Sequence, residues 1–367
     1  MRVREAIPGL RLGFFKPGKL NSITDVPGVL VNVTTIQSED KNVNTGLTTI
    51  LSRRDWHKYY AFSGKLASSH RPIILTSSAA VGDAYRGTYE YCYRYRLNTE
   101  GEMPLVIVPV VGETYDGFLS DNGRFPLTTE HVIDSINNAS SDAVLEGCTG
   151  GGTGSVCHKF KAGTGFSSRI VKGVDAAGNK VVYTVGVIVQ ANYGLADTFH
   201  VGGVPVGAIL QEEQEAAQKE RVTTSERTVR KDGSIIVVIA IDAPLLPIQL
   251  KRLAKRAAVG LAKVGGYGYN SSGDVFLAFS TANKIPYEEL ALPGQPPRPV
   301  DPMQPSPMIV QMTDNESIDG LFESTADATE EAIYNAIFMG TTMTGLKGRT
   351  VEAADIGKIK AIVEKRL

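Results

Sequence analysis

Tryptophan occurs once in these 367 residues, cysteine three times and histidine five times. The cysteines, Cys92, Cys148 and Cys157, are odd in number and far apart. That number and spacing fit a reducing compartment better than a secreted disulfide framework, so a cytoplasmic protein is expected. Neither sign of charge prevails: Lys+Arg number 38 against Asp+Glu 39, a formal net charge of -1. Without a global positive field the chain has little hold on a nucleic-acid backbone or an anionic membrane, and neither is expected as a partner. Long hydrophobic runs are missing too. The opening MRVREAIPGLRLGFF lacks the apolar stretch of a signal peptide, and the most hydrophobic run, 235–241, has the length of a strand and not of a bilayer span.

Several familiar signatures are also absent. G-x-S-x-G, G-x-x-x-x-G-K-[ST], H-E-x-x-H and paired C-x-x-C do not occur, which removes the usual signals for a serine-hydrolase elbow, a P-loop and the common zinc sites. GCTGGGTGS (147–155) and AGTGFSS (162–168) look like phosphate loops but miss G-x-G-x-x-G, with Ser155 or Ser168 at its third glycine. A turn or a close backbone approach is the better reading. Cys148, Cys157 and His158 fit no metal-ligand spacing and read as buried thiols and an incidental histidine. His57, His70, His131 and His200 are scattered without a readable partner. No metal and no organic cofactor is expected.

What is present is ample apolar content (42%) and abundant glycine (38 residues), enough for one large layered domain or two to three smaller ones. PLVIVPVV (104–111), VVYTVGVIV (181–189), SIIVVIAI (234–241) and DVFLAFST (274–281) are short, rich in β-branched or aromatic residues, and bounded by Gly, Pro or Asn. They predict strands, and their continuous apolar character requires cover on both faces. After Pro247, Leu250, Leu253, Ala254, Ala257, Leu261 and Val264 recur at helical spacing, with Lys251, Arg252, Lys255 and Arg256 off that stripe. Asp327 and Glu330 have the spacing of a capping box ahead of a second helical pattern that stops before Gly340. The charged stretch 211–232 predicts a solvated helix and then an exposed linker. The eight prolines between 286 and 307 predict an extended loop or an arm touching another subunit.

The most informative segment is KDGSIIVVIAIDAPL (231–245), where a charged linker passes through Gly233 into Ser234 at the head of a buried strand. By spacing and composition alone, the commoner fate of such a serine is to close the strand end with a local hydrogen bond. The alternative is chemical. Ser234 attacks the carbonyl of Gly233, shifting the acyl group from nitrogen to oxygen, and water then hydrolyses the ester. Glycine before the cut leaves the carbonyl open and tolerates unusual backbone angles. The freed α-amine, with an ordinary pKa of about 7.7–8.0, serves as a base without any histidine.

NSITDVPGVLVNVTTI (21–36), GLTTIL (46–51), VVGETYDGFLSD (110–121), the glycine-rich 147–154, VQANYG (189–194), GSIIVVIAIDAPLLPIQLKRLAKRA (233–257), SSGDVFLAFSTAN (271–283) and ATEEAIYNAIFMGTTMTG (328–345) resemble, in order and over nearly the whole chain, the L-aminopeptidase/D-amidase-D-esterase (DmpA-like) family, which includes β-peptidyl aminopeptidases. The resemblance implies an α+β fold, a four-layer αββα sandwich similar to N-terminal-nucleophile hydrolases but differently connected. It implies one domain over 1–367, cut between Gly233 and Ser234 into fragments 1–233 and 234–367. It further implies Ser234 as nucleophile, Ser272 and Asp274 hydrogen-bonded near it, Asn192 as oxyanion donor, and Glu113 and Tyr115 by the substrate's amino end. Some members carry Glu in place of Asp274 and Trp in place of Tyr115.

These roles make chemical sense. A buried amide NH2 such as that of Asn192 stabilises a developing oxyanion, although Asn192 before Tyr193–Gly194 is equally suited to a turn. Asp274 is able to orient Ser272 or the new amine, or simply to cap the N-S-S-G-D turn. Glu113 suits a free ammonium; Tyr115 supplies a hydroxyl or packs at the core edge. The expected activity is release of N-terminal residues from short peptides, amino-acid amides or esters through an acyl-Ser234 ester. A homo-oligomer, commonly a tetramer in the family, is implied. Competing expectations are an acyltransferase like ornithine acetyltransferase, which normally has a threonine nucleophile where this chain has Ser234, and a non-catalytic binding protein on the same scaffold.

Overall fold

The computed structural model describes residues 1–63, 71–98, 100–103, 108–218, 233–286, 301, 303–305 and 307–367. Its main strands are β1 (Leu30–Gln37), β2 (Asn44–Leu51), β3 (Tyr59–Ser63), β4 (Ile73–Ser77), β5 (Val110–Thr114), β6 (Thr164–Val174), β7 (Lys180–Asn192), β8 (Ser234–Ile241) and β9 (Val275–Pro286). The first sheet has the order β1-β2-β4-β5 and the second β3-β9-β8-β7-β6. Both are mixed: β4/β5 and β8/β9 pair parallel, and their other neighbours pair antiparallel.

Period-two alternation sorts each strand's side chains between two cores. In β8, Ile236, Val238 and Ala240 meet Ile50, Ile73 and Leu75 of the first sheet between the two sheets. Ile235, Val237, Ile239 and Ile241 point the other way, into helices. That outer layer includes α3 (Val206–Gln218), α4 (Pro247–Ala254), α5 (Ala257–Val264), α6 (Asp319–Phe338) and α7 (Ile356–Glu364), while α1 (Val81–Tyr95) and α2 (Thr129–Asn137) cover the first sheet through Ile74, Leu47 and Leu51. The result is an α+β sandwich of four layers, α, β, β, α, in which β8 is buried on both faces. This is why its sequence runs without polar interruption.

Three local expectations change. The single helix read after Pro247 is two, because the ladder tightens at Arg256, whose N–H bonds Leu253 O at 2.9 Å. The second half then lies so close to α6 that a Cβ on Gly260 would sit 2.4 Å from Ala326 O. The C-terminal helix starts at Asp319, so Asp327 and Glu330 are mid-helix and not a cap. Their charges are met by Lys263 Nζ at 2.7 and 3.0 Å, and that of Glu331 by Arg4 and the buried Arg169. The strand read at 104–111 is β5, beginning at Val110; residues 104–107, the linker 219–232 and most of the proline segment lie outside the described residues.

The glycine-rich stretch is a close backbone approach, not a phosphate cradle. Gly150 and Gly151 donate their N–H groups to the hydroxyls of Thr35 and Thr48, both at 3.1 Å, and a Cβ on Gly151 would meet Leu75 O at 2.6 Å.

Candidate active site

Strand register builds the site. Ser234, the first residue of β8, pairs directly with Asn192, the last of β7. On the other side Ile236 is level with Val275 of β9, which brings residues 272–274 beside Ser234. Ser234 therefore sits at the open end of the sandwich on the face that β8 turns toward the first sheet.

Three consecutive residues converge on the Gly233–Ser234 peptide bond. The Gly273 N–H donates to Ser234 Oγ at 2.8 Å. The Ser272 hydroxyl lies 3.1 Å from Gly233 O and 2.6 Å from Asp274 Oδ1, with its one proton available to either. Asp274 Oδ1 also accepts from Ile235 N–H at 3.0 Å. Gly233 has no room for a side chain, since a Cβ there would fall 1.8 Å from Asn192 O.

Asn192 is clamped at both ends of its amide. Val156 N–H donates to its Oδ1, and its Nδ2 donates to Tyr115 O, both at 2.9 Å. In the uncut chain the hydroxyl of Ser272, and not the Asn192 amide, thus reaches the carbonyl that would be attacked. The bend after Asn192 follows from Gly194 at φ +95°, where a Cβ would strike the His158 ring at 2.4 Å. Burial pushes the His158 imidazole down to about 4.

Glu113, near the end of β5, is exposed, and the Tyr115 ring, 62% exposed, leans back over Gly117. Their loop is fixed by the buried Asp116, whose carboxylate accepts from Thr45 Oγ1 and from Asn122 Nδ2. Burial pushes the Asp116 carboxyl up, and those two hydrogen bonds oppose the rise.

A cavity of about 470 Å³ opens here between the sheets. Its mouth carries Glu113, Tyr115, Asn192, Gly233 and Ser234, and Ile73, Leu75, Val110, Ile236, Val238 and Leu277 line the rest. A larger surface cavity of about 900 Å³ lies at the other end of β6 and β7, by Val174, Val182 and Met312, away from the Gly233–Ser234 bond.

The residues singled out in the sequence are thus brought together: Ser272 and Asp274 by a hydrogen bond to each other, Ser234 by one from the Gly273 amide between them, Asn192 by one to the main-chain oxygen of Tyr115, and Glu113 at the same cavity. His57, His131, His158 and His200 do not line it. Among the described residues no group of three or more His, Cys, Asp and Glu is placed to hold a metal ion. Reading side-chain types missed the backbone amides of Gly273 and Val156, and it passed over Asp116. For Gly273 the only signal was the N-S-S-G-D turn.

A serine at the head of a central strand of an αββα sandwich, beside an amide donor and with no histidine among the described residues that line its cavity, fits the class of hydrolases built like N-terminal-nucleophile enzymes. The sequence profile of Peptidase family S58 matches residues 21–351, and the chain belongs to that family. It is 36% identical to the β-peptidyl aminopeptidase BapA of Sphingosinicella microcystinivorans, over 95% of this chain and 89% of that one. Among solved structures, a Burkholderia sp. β-aminopeptidase superposes with a TM-score of 0.82 at 35% identity, covering 100% of this chain and 99% of that one. The L-aminopeptidase D-Ala-esterase/amidase of Ochrobactrum anthropi, described as a prototype of serine aminopeptidases and a variant of the Ntn-hydrolase fold, gives 0.80 at 33%, with 99% and 98% covered. The chain is a peptidase of the N-terminal serine aminopeptidase/amidase kind, and the comparisons favour this over an acyltransferase or a non-catalytic scaffold.

Proposed function

We propose that Ser234 is the nucleophile, first against its own chain and then against substrate. The observation that supports this most directly is the convergence of Ser272, Gly273 and Asp274 on one peptide bond. In the first reaction Ser234 Oγ bonds to the Gly233 carbonyl carbon while the Ser272 hydroxyl donates to Gly233 O. The bond from that carbon to Ser234 N breaks, the hydroxyl proton passes to the departing amine, and water hydrolyses the ester to a Gly233 carboxylate. Fragments 1–233 and 234–367 stay together because β8 is an interior strand paired on both sides.

In the mature enzyme the substrate carbonyl takes the place Gly233 vacates. The Ser234 amine accepts the hydroxyl proton and returns it to the leaving amine; Asp274 and Ser272 hold that amine in place. The Asn192 amide, fixed at both ends, stabilises the oxyanion, a contribution of about 3 kcal/mol where such a donor is removed. Glu113 binds the substrate's free ammonium, and the apolar floor favours an apolar side chain on the N-terminal residue. Substrates are short peptides, amino-acid amides or esters, with β-amino residues, named in the relatives' activities, among those to assay. The processed unit assembles as a homotetramer. A cytoplasmic setting is supported by the three cysteines, none of which forms a disulfide.

The test is turnover of amino-acid p-nitroanilides and amides. Wild type releases amine at a rate that falls as the Ser234 amine is protonated below pH about 8, and Ser234→Ala releases none. Equal turnover by the two proteins would overturn the assignment.

A further inference from the structure

The loop of residues 265–273, which delivers Ser272 and Gly273 to the nucleophile, also carries two tyrosines that the chemistry does not use. Tyr267 and Tyr269 are 66% and 40% exposed, with ring centroids 5.7 Å apart and planes tilted by 35°. Two neighbouring aromatic rings on a loop tip are an apolar surface in search of contact. The loop is built to hold them still. Gly265 turns at φ +106°, where a Cβ would lie 1.7 Å from Thr198 O, and a Cβ on Gly266 would strike the Leu261 side chain at 2.4 Å. Beyond the tip, Ser272 N–H bonds Tyr269 O at 2.7 Å.

The pair is next to the catalytic groups yet outside the acyl pocket. Gly268, between the two tyrosines, is so placed that a Cβ would be 3.8 Å from Asp274 Oδ2, and Asp274 bonds both Ser272 and the Ile235 amide. The cavity holding Glu113 is lined by Gly273 but not by Tyr267 or Tyr269. A substrate has two halves at the reacting carbonyl. The half with the free ammonium enters the cavity, so what remains for the exposed rings is the half that leaves.

We propose that Tyr267 and Tyr269 form the leaving-group subsite and select substrates whose second residue has an aromatic or large apolar side chain. This rests on the acyl-Ser234 reading above. The contact acts before the acyl-enzyme forms, so it appears in kcat/KM for acylation and is lost once the second residue departs. A ring stacked on such a pair is worth about three- to tenfold.

The experiment compares three substrates with one N-terminal residue, leucine: leucine amide, Leu-Gly and Leu-Phe. For wild type, kcat/KM for Leu-Phe exceeds that for Leu-Gly by about three- to tenfold. In Tyr267→Ala and Tyr269→Ala that ratio falls toward one, and in Tyr267→Phe and Tyr269→Phe it persists because the rings remain. A wild-type ratio near one, or Ala variants that lower Leu-Phe and leucine amide by the same factor, overturns the subsite and leaves the acyl-Ser234 reading standing. An Ala variant that changes the mass of the assembly in light scattering while keeping the ratio makes the pair a subunit contact, which also overturns it. The same three substrates are also run with β-homoleucine in place of leucine, the ratio being read on whichever series is turned over, and failure of wild type on both series would instead overturn the acyl-Ser234 reading itself.

Discussion

Ser234 and Asn192 face each other as directly paired residues of the β8/β7 ladder, and Gly233 passes so close to Asn192 O that only a hydrogen fits on its Cα. The proposed nucleophile, oxyanion donor and scissile carbonyl are therefore positioned by one antiparallel register and not by three independent loops. Changes at each of them have distinct consequences.

Gly233→Ala puts a methyl carbon 1.8 Å from the Asn192 carbonyl oxygen. The strand head must shift away from Ser272 to accommodate it, at a cost on the order of 1–3 kcal/mol. The variant is expected to accumulate as the uncut chain with a lowered thermal midpoint, measured by denaturing gel and calorimetry. Wild-type processing would show that the close approach is unimportant.

Asn192→Ala removes the amide held between Val156 N–H and Tyr115 O. Its effect should fall on kcat, by about 10²–10³ with little change in KM, as for other oxyanion donors. Because Ser272 and not Asn192 reaches Gly233 O in the uncut chain, processing should be slowed less than turnover. Comparing the two rates in the same preparation checks both statements.

Glu113→Gln keeps the shape of the side chain and removes its charge. Loss of a charge-assisted bond to the substrate ammonium should lower kcat/KM by about ten- to a hundredfold, mostly through KM. N-acetylated substrates, which lack the ammonium, should be poor for wild type and variant alike.

Stability should depend on pH through His158. Burial holds the folded imidazole at about 4, while the unfolded one protonates near its ordinary value of 6.5; the neighbouring Asp197 and His200 act in opposite directions. Below 6.5 the unfolded state binds more protons, so the contribution is present above that pH and is lost as the pH falls toward 4. The full window corresponds to on the order of 3 kcal/mol. Thermal midpoints between pH 7 and pH 4 should fall, and His158→Phe should flatten the slope whatever it does to the starting value.

The strand 234–241 was legible because a doubly covered strand shows as an unbroken apolar, β-branched run, and its bounds in the sequence and in the fold coincide. The start of α6 was not legible. Its mid-helix Asp327, Glu330 and Glu331 look like polar punctuation until Lys263, Arg4 and Arg169 arrive from elsewhere in the chain. The site divides in the same way. Ser234 after Gly233 is a local signal, whereas the pairing of Ser234 with Asn192 and the approach of Ser272 and Asp274 are matters of register between distant strands. Family resemblance, and not local pattern, pointed to those residues. The amides of Gly273 and Val156 carry no side-chain signature, and Asp116 becomes meaningful only once its loop is seen to hold Tyr115 O against Asn192.

The central claim is that Ser234 severs the chain at its own amino side. Mass spectrometry of the purified protein under denaturing conditions, with N-terminal sequencing of each component, tests it most directly. Two polypeptides are expected, one ending at Gly233 and one beginning Ser-Ile-Ile-Val, and a single full-length chain for Ser234→Ala. A single uncut wild-type chain that is nonetheless an active peptidase, or a cut at any other bond, would contradict it.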